Sequence, residues 1–254
     1  ILESIEKQNK LTPQLKEKIK NAETLTQLED IYLPYKPKRK TRATIAKTQG
    51  LEPLAKNIFQ QSPETNPLEL ANNYINKEKE IKTPDQALAG ARDIIAEWIN
   101  EDNDTRQKIR NLYKKQSLFV TKVLPSKEEE GIKYKDYYDY TESTATAPSH
   151  RILAIRRAAK EKIISMRITV ETENAIKIIE SIFIKNNSDS AVQVKLAIDD
   201  CFKRLLSMSM ETEMRLETKK RADEMAISVF AENLRQLLLA PPLGSKRVLA
   251  LDPG

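Results

Sequence analysis

Apolar residues recur at helical spacing along most of the chain. Leu15, Ile19 and Ala22 share one side of a segment that opens on Thr12-Pro13. That pair is a capping residue followed by a proline where the first helical N–H needs no partner. Thr26-Gln27-Leu28-Glu29 has the form of a capping box. Helix resumes near Thr41 or Thr44, ends at Gly50, and restarts at Leu51 through Leu54, Ile58 and Phe59. The clearest start is Thr83-Pro84-Asp85-Gln86, which combines a cap, a proline, an acid at the positive dipole end and a returning Gln. Leu88, Ala91, Ile95, Trp98 and Ile99 follow on one face, so the spacing predicts Trp98 in the core. Ser149 opens a helix carrying Ile152, Ile155, Ala159 and Ile163. After Asn186-Asn187-Ser188 the pattern stays helical to Leu239. Val194, Ile198, Cys201, Leu205 and Met208 make a first stripe there, and Ile227, Phe230, Leu234, Leu237 and Leu238 a later one. Pro241 and Pro242 stop it.

Strand signals are few. SLFVTKVL, 117–124, reads as a strand or a helix end, and MRITV, 166–170, as a short strand. VLAL, 248–251, reads as the first strand of a further domain. The segment between Pro125 and Ser149 has no helical period and reads as a long loop. These patterns predict an all-α, multihelical scaffold with a helix-turn-helix-like portion and very little strand. The expected division is 1–240, with sub-lobes 1–116 and 149–240 joined by an irregular 117–148, then 241–254 as a linker and strand. The chain opens inside a helical pattern and stops just after an apolar run, so it is read as a piece of a longer protein.

Composition narrows the chemistry. Five glycines in 254 residues argue against a Gly-rich phosphate loop and against many tight turns. One cysteine, Cys201, and one histidine, His150, exclude an intrachain disulfide, a Cys-rich zinc site and a multi-His metal site. No run is long and apolar enough to span a membrane. A cytoplasmic protein without cofactor, metal or small-molecule substrate is expected. The net charge of +6 is modest, so its distribution matters more than its size.

That distribution singles out YLPYKPKRKTRATIAKTQG, 32–50. Lys36, Lys38, Arg39, Lys40, Arg42 and Lys47 fall in a segment with no acid between Asp30 and Glu52. Held on a proline-restricted path, they could contact phosphates, with Tyr32 and Tyr35 stacking on bases. Equally, the tyrosines could anchor a hinge and the cations could face solvent. Arg156, Arg157 and Lys160 share a helical face opposite the isoleucines, and form a second candidate contact beside the plain amphipathic alternative. Tyr134, Tyr137, Tyr138 and Tyr140 are interleaved with Asp136 and Asp139, which repel phosphate and favour packing.

LEDIYLPYKPKRKTRATIA, 28–46, closely resembles the signature segment of the Tex family of bacterial transcription accessory proteins. ILESIEKQNKLTPQL (1–15), APSHRILAIRR (147–157) and DEMAISVFAENLRQLLLAPPLGSKRVLALDPG (223–254) are similar to other family segments in the same order. The resemblance implies a larger protein. In it a helical region precedes a YqgF-type, RNase H-like domain, helix-hairpin-helix motifs and an RNA-binding OB-type domain. It makes 248–251 the first strand of that RNase H-like domain. It also implies a link to transcription and to nucleic acid. Asp252 would then stand where active nucleases of that fold hold a metal, but that chemistry needs several carboxylates. The expectation is a non-enzymatic helical scaffold that binds RNA or DNA. The competing expectation is an adaptor that docks RNA polymerase or another transcription component.

Overall fold

The computed structural model describes residues 1–37, 40–76, 78–240, 244 and 246–252. The chain divides into two units: residues 1–117 with 169–212, and residues 118–168 with 213–254.

The first unit is helical. It holds α1 (Leu2–Glu6), α2 (Pro13–Lys20), α3 (Leu25–Tyr32), α4 (Arg42–Thr48), α5 (Glu52–Gln60), α6 (Pro67–Asn72), α7 (Pro84–Glu101), α8 (Asn103–Gln116), α10 (Thr172–Phe183) and α11 (Asp189–Cys201). Local signals set many of the starts. The hydroxyls of Thr12 and Thr83 accept from Leu15 N and Gln86 N at 3.2 and 3.3 Å, as the sequence predicts. The capping box of α3 begins two residues earlier than its expected place. Thr24 accepts from Gln27 N at 3.2 Å, and Gln27 Oε1 accepts back from Thr24 N at 3.3 Å. Starting there gives the helix an extra half turn of backbone hydrogen bonds.

α7 organises this unit. Ala87, Leu88, Ala91, Ile94, Ile95 and Ile99 are buried where it meets α4, α5, α6 and α11. Each buried Leu or Ile contributes about 1.5–3 kcal/mol relative to exposure. A Cβ on Gly90 would collide with the Leu51 side chain and lie 3.3 Å from Ala46, so any larger residue there would have to push the buried Leu51 aside where α7 meets the α4–α5 junction. Trp98 is half-buried and meets Phe59 edge-on, with ring centroids 5.7 Å apart. After α11 comes a π turn, Phe202–Leu206, and then α12 (Ser207–Leu239). Val194, Ile198 and Cys201 are buried as the first stripe predicts. Beyond them the buried positions are Phe202, Leu206 and Met210, whereas Leu205 is half-buried and Met208 is 62% exposed. The π turn inserts a residue into the helical repeat and moves the inward face on by one position.

The second unit is built on a three-stranded sheet of order β2-β1-β3, from β1 (Leu118–Val123), β2 (Asp139–Ser143) and β3 (Ile164–Thr169), with α9 (Ser149–Lys160). The segment 117–148, expected to be irregular, therefore carries β1, β2 and a 3-10 turn, Ile132–Tyr137. β1 and β2 run antiparallel, with Leu118 opposite Ser143 and Lys122 opposite Asp139. Ile164, Met166 and Ile168 alternate inward on β3, while Ile152, Ile155 and Ala158 supply the buried stripe of α9. The first residue of α9 is Ser149; Pro148 holds the capping position and no side chain caps it. The last part of α12 belongs to this unit, and its later stripe is uncovered. Ile227 is 67%, Phe230 66% and Leu238 75% exposed. Residues 248–251, expected as a strand, form none: a strand needs a paired neighbour, and Val248, Leu249 and Leu251 are exposed. Pro241 and Pro242 lie outside the described residues.

Candidate nucleic-acid interface

The basic stretch begins on a braced corner. Asp30, buried at the end of α3, accepts from Arg106 Nε at 2.6 Å and from Arg110 Nη2 at 2.7 Å, both on α8. Arg106 also donates to Ser209 Oγ at 2.9 Å. The chain then turns through a 3-10 segment, Leu33–Tyr35. Tyr32 and Leu33 are half-buried. The Tyr32 hydroxyl lies 3.0 Å from Ser4 Oγ, and Gln8 Nε2 donates to Tyr35 O at 2.8 Å, which ties the corner to α1. Lys36 leaves this corner exposed.

Lys38 and Arg39 lie outside the described residues. Lys40 and Arg42 are exposed, and Thr41 between them caps α4. A capping box takes up one N–H at the start of α4. Thr41 Oγ1 accepts from Thr44 N at 3.1 Å, and Thr44 Oγ1 accepts from Thr41 N at 2.7 Å.

Tertiary structure brings acids to a stretch that has none of its own. Glu97 on α7 is buried, and its carboxylate meets Thr41 Oγ1 at 3.3 Å and Lys47 Nζ at 3.4 Å. One turn earlier on α7 is Asp93, whose carboxyl is pushed up from the ordinary value by burial. Arg204 is the strongest of the cations opposing that shift, and Arg42 also opposes it. Lys47 and Arg42 thus have acidic neighbours, while Lys36 and Lys40 are presented outward.

Beside the corner is an open cleft of about 820 Å3, wholly within the first unit. Lys36 and Lys47 line it, as expected of the basic stretch. So do Lys7, Lys10, Ser4 and Gln8 from the first ten residues, together with Tyr35. Sequence reasoning missed Lys7 and Lys10, because two isolated lysines near a short helix carry no local signal.

The second candidate face divides. Arg156 is half-buried and donates through Nη1 to Arg215 O at 2.9 Å; burial, then the Arg215 charge, lowers its pKa. Arg157 and Lys160 are exposed on the same helix. The tyrosine cluster packs within the second unit. Tyr134 donates to Glu161 Oε1 at 2.9 Å, Tyr138 to Glu128 O at 2.5 Å, and Tyr137 meets Tyr140 edge-on with ring centroids 5.6 Å apart. Among the described residues no helix is long and apolar enough to cross a membrane.

The chain matches the Tex central region-like family over residues 62–230, more than half its length. It is 39% identical to Protein tex of Bordetella pertussis and 35% identical to Transcriptional accessory protein Tex of Neisseria gonorrhoeae. Each match covers all of this chain and 34% of the relative. It is 27% identical to human S1 RNA-binding domain-containing protein 1, again along all of this chain and 26% of that protein. The chain thus spans about a third of the length of its bacterial relatives.

Proposed function

The chain belongs to the Tex central region-like family, and from that premise we propose that it is a non-enzymatic, cytoplasmic scaffold of a transcription accessory protein that adds basic contacts to RNA or DNA. The observation that carries this reading is the braced corner at Tyr35. It holds Lys36 outward beside a lysine-lined cleft, and Lys40 and Arg42 follow on an exposed helix start. Cations on a fixed path lose less entropy on binding than a free tail does. They neutralise phosphates without reading bases, so the contact is independent of sequence. The names of the relatives support the direction, since two speak of transcription or Tex and one of an S1 RNA-binding domain.

The test is a salt titration of binding to single-stranded RNA and duplex DNA. Replacing Lys38, Arg39, Lys40 and Arg42 together by Ala should weaken binding of all sequences alike. It should also flatten the plot of log affinity against log salt, by about 0.9 for each duplex phosphate that is no longer neutralised. Unchanged affinity and slope would leave the stretch a solvated loop.

A second reading is favoured by the uncovered apolar stripe of α12. Ile227, Phe230, Leu234 and Leu237 suit docking onto RNA polymerase or another transcription component. Binding through that stripe would respond little to salt, and replacing Phe230 by Asp would abolish it.

A further inference from the structure

The cleft beside the Tyr35 corner gathers cations from three separated parts of the chain. Lys7 and Lys10 come from the first ten residues, Lys36 from the corner and Lys47 from α4. Lys7, Lys10 and Lys36 are exposed. The buried acid in the wall, Glu97, is already met by Lys47 and Thr41. Glu3 is the one exposed acid among the lining residues, against three exposed lysines, so the rim is net cationic, and it is held in place by the Ser4–Tyr32 and Gln8–Tyr35 hydrogen bonds.

We propose that this cleft seats the backbone of a single-stranded nucleic acid, with Lys7, Lys10 and Lys36 on its phosphates and Tyr35 offering a ring to one base. The proposal rests on the nucleic-acid reading above and adds a location, new contact residues and a strand preference. Three features support it. A volume of about 820 Å3 lies within the range of ordinary ligand clefts, and so accepts a strand and a base. A duplex keeps its bases paired and stacked, so it offers phosphates to the rim but no base to Tyr35. A charged rim with one aromatic ring is the pattern that tracks single strands, whereas small-molecule sites are mostly apolar. An acidic peptide would satisfy the lysines but has no use for the ring.

The experiment compares the 254-residue chain with the double variant Lys7→Ala, Lys10→Ala and with Tyr35→Leu. The ligands are a single-stranded oligonucleotide and a duplex, titrated at several salt concentrations, with a poly-glutamate peptide as competitor. Both lysines are exposed, so the double variant keeps the fold. Its salt slope for the single strand should fall by about 1.4, or 0.7 per phosphate, and its affinity for the single strand should fall more than its affinity for the duplex. Tyr35→Leu should weaken single-strand binding at an unchanged slope, and circular dichroism should show wild-type helix content. If the chain binds nucleic acid but the double variant binds the single strand as wild type does, the cleft assignment is overturned and the basic-stretch reading stands. If the chain binds neither nucleic acid, both fall. If the peptide binds as tightly as the single strand and displaces it, the cleft is a site for acidic protein segments and the proposal is overturned.

Discussion

Asp30 sits inside the segment that carries the family resemblance, and its work is structural. Its side chain is 4% exposed, and those of its partners Arg106 and Arg110 are 7% and 13% exposed. Removing the carboxylate leaves two guanidinium groups without their shared counter-charge. Asp30→Ala should therefore destabilise the protein by about 3–5 kcal/mol in urea denaturation. Asp93 gives a different signature. Arg204 lies 3.3 Å from it but 2.6 Å from Asp200, so Asp93 is incompletely compensated and burial raises its pKa above 3.8. The folded state then holds this proton more readily than the unfolded chain does. The contribution of Asp93 to stability must rise as pH falls through the raised value toward the ordinary one. Compared with Asp93→Asn, the wild type should gain relative stability as pH is lowered from neutral to about 4, read by denaturant midpoints at each pH. A constant difference would count against the burial of Asp93.

Helix starts were legible wherever a cap, a proline and an apolar period coincided, as at Thr12 and Thr83. The register of α12 was not. A continuous 3.6 repeat carried from Cys201 puts Leu205 and Met208 inside, but the π turn places Phe202, Leu206 and Met210 there. Sequence gives no local mark of that extra residue; only packing against α7 selects it. Leu206→Ala should cost about 2–5 kcal/mol, and Met208→Ala well under 1 kcal/mol. Equal effects would restore the unbroken repeat. The strands between 117 and 143 were half legible for a similar reason. Phe119 and Thr121 alternate inward, but β2 presents mixed polar residues and is defined by its pairing with β1.

For the molecule as a whole, the basic stretch showed its cations in the sequence and hid their neighbours. Glu97 and Asp93 lie some fifty residues further on, and only the packing of α7 against α4 brings them to Lys47 and Arg42. The cleft was invisible for the same reason, since its lysines are scattered. The buried thiol of Cys201 has a consequence of another kind. It is the single cysteine in 254 residues, it is fully covered at the end of α11, and burial pushes its pKa well above the usual thiol range. Because thiolate is the reactive form, a disulfide reagent must wait until the helix opens. Native protein should consume almost no reagent, and denatured protein one equivalent. The labelling rate in between is a stopwatch for opening of the first unit, available without inserting a reporter group. Leu206→Ala should accelerate it by roughly the factor by which that change shifts the folding equilibrium. Rapid labelling of the native chain would mean that α11 does not close over its own sulfur.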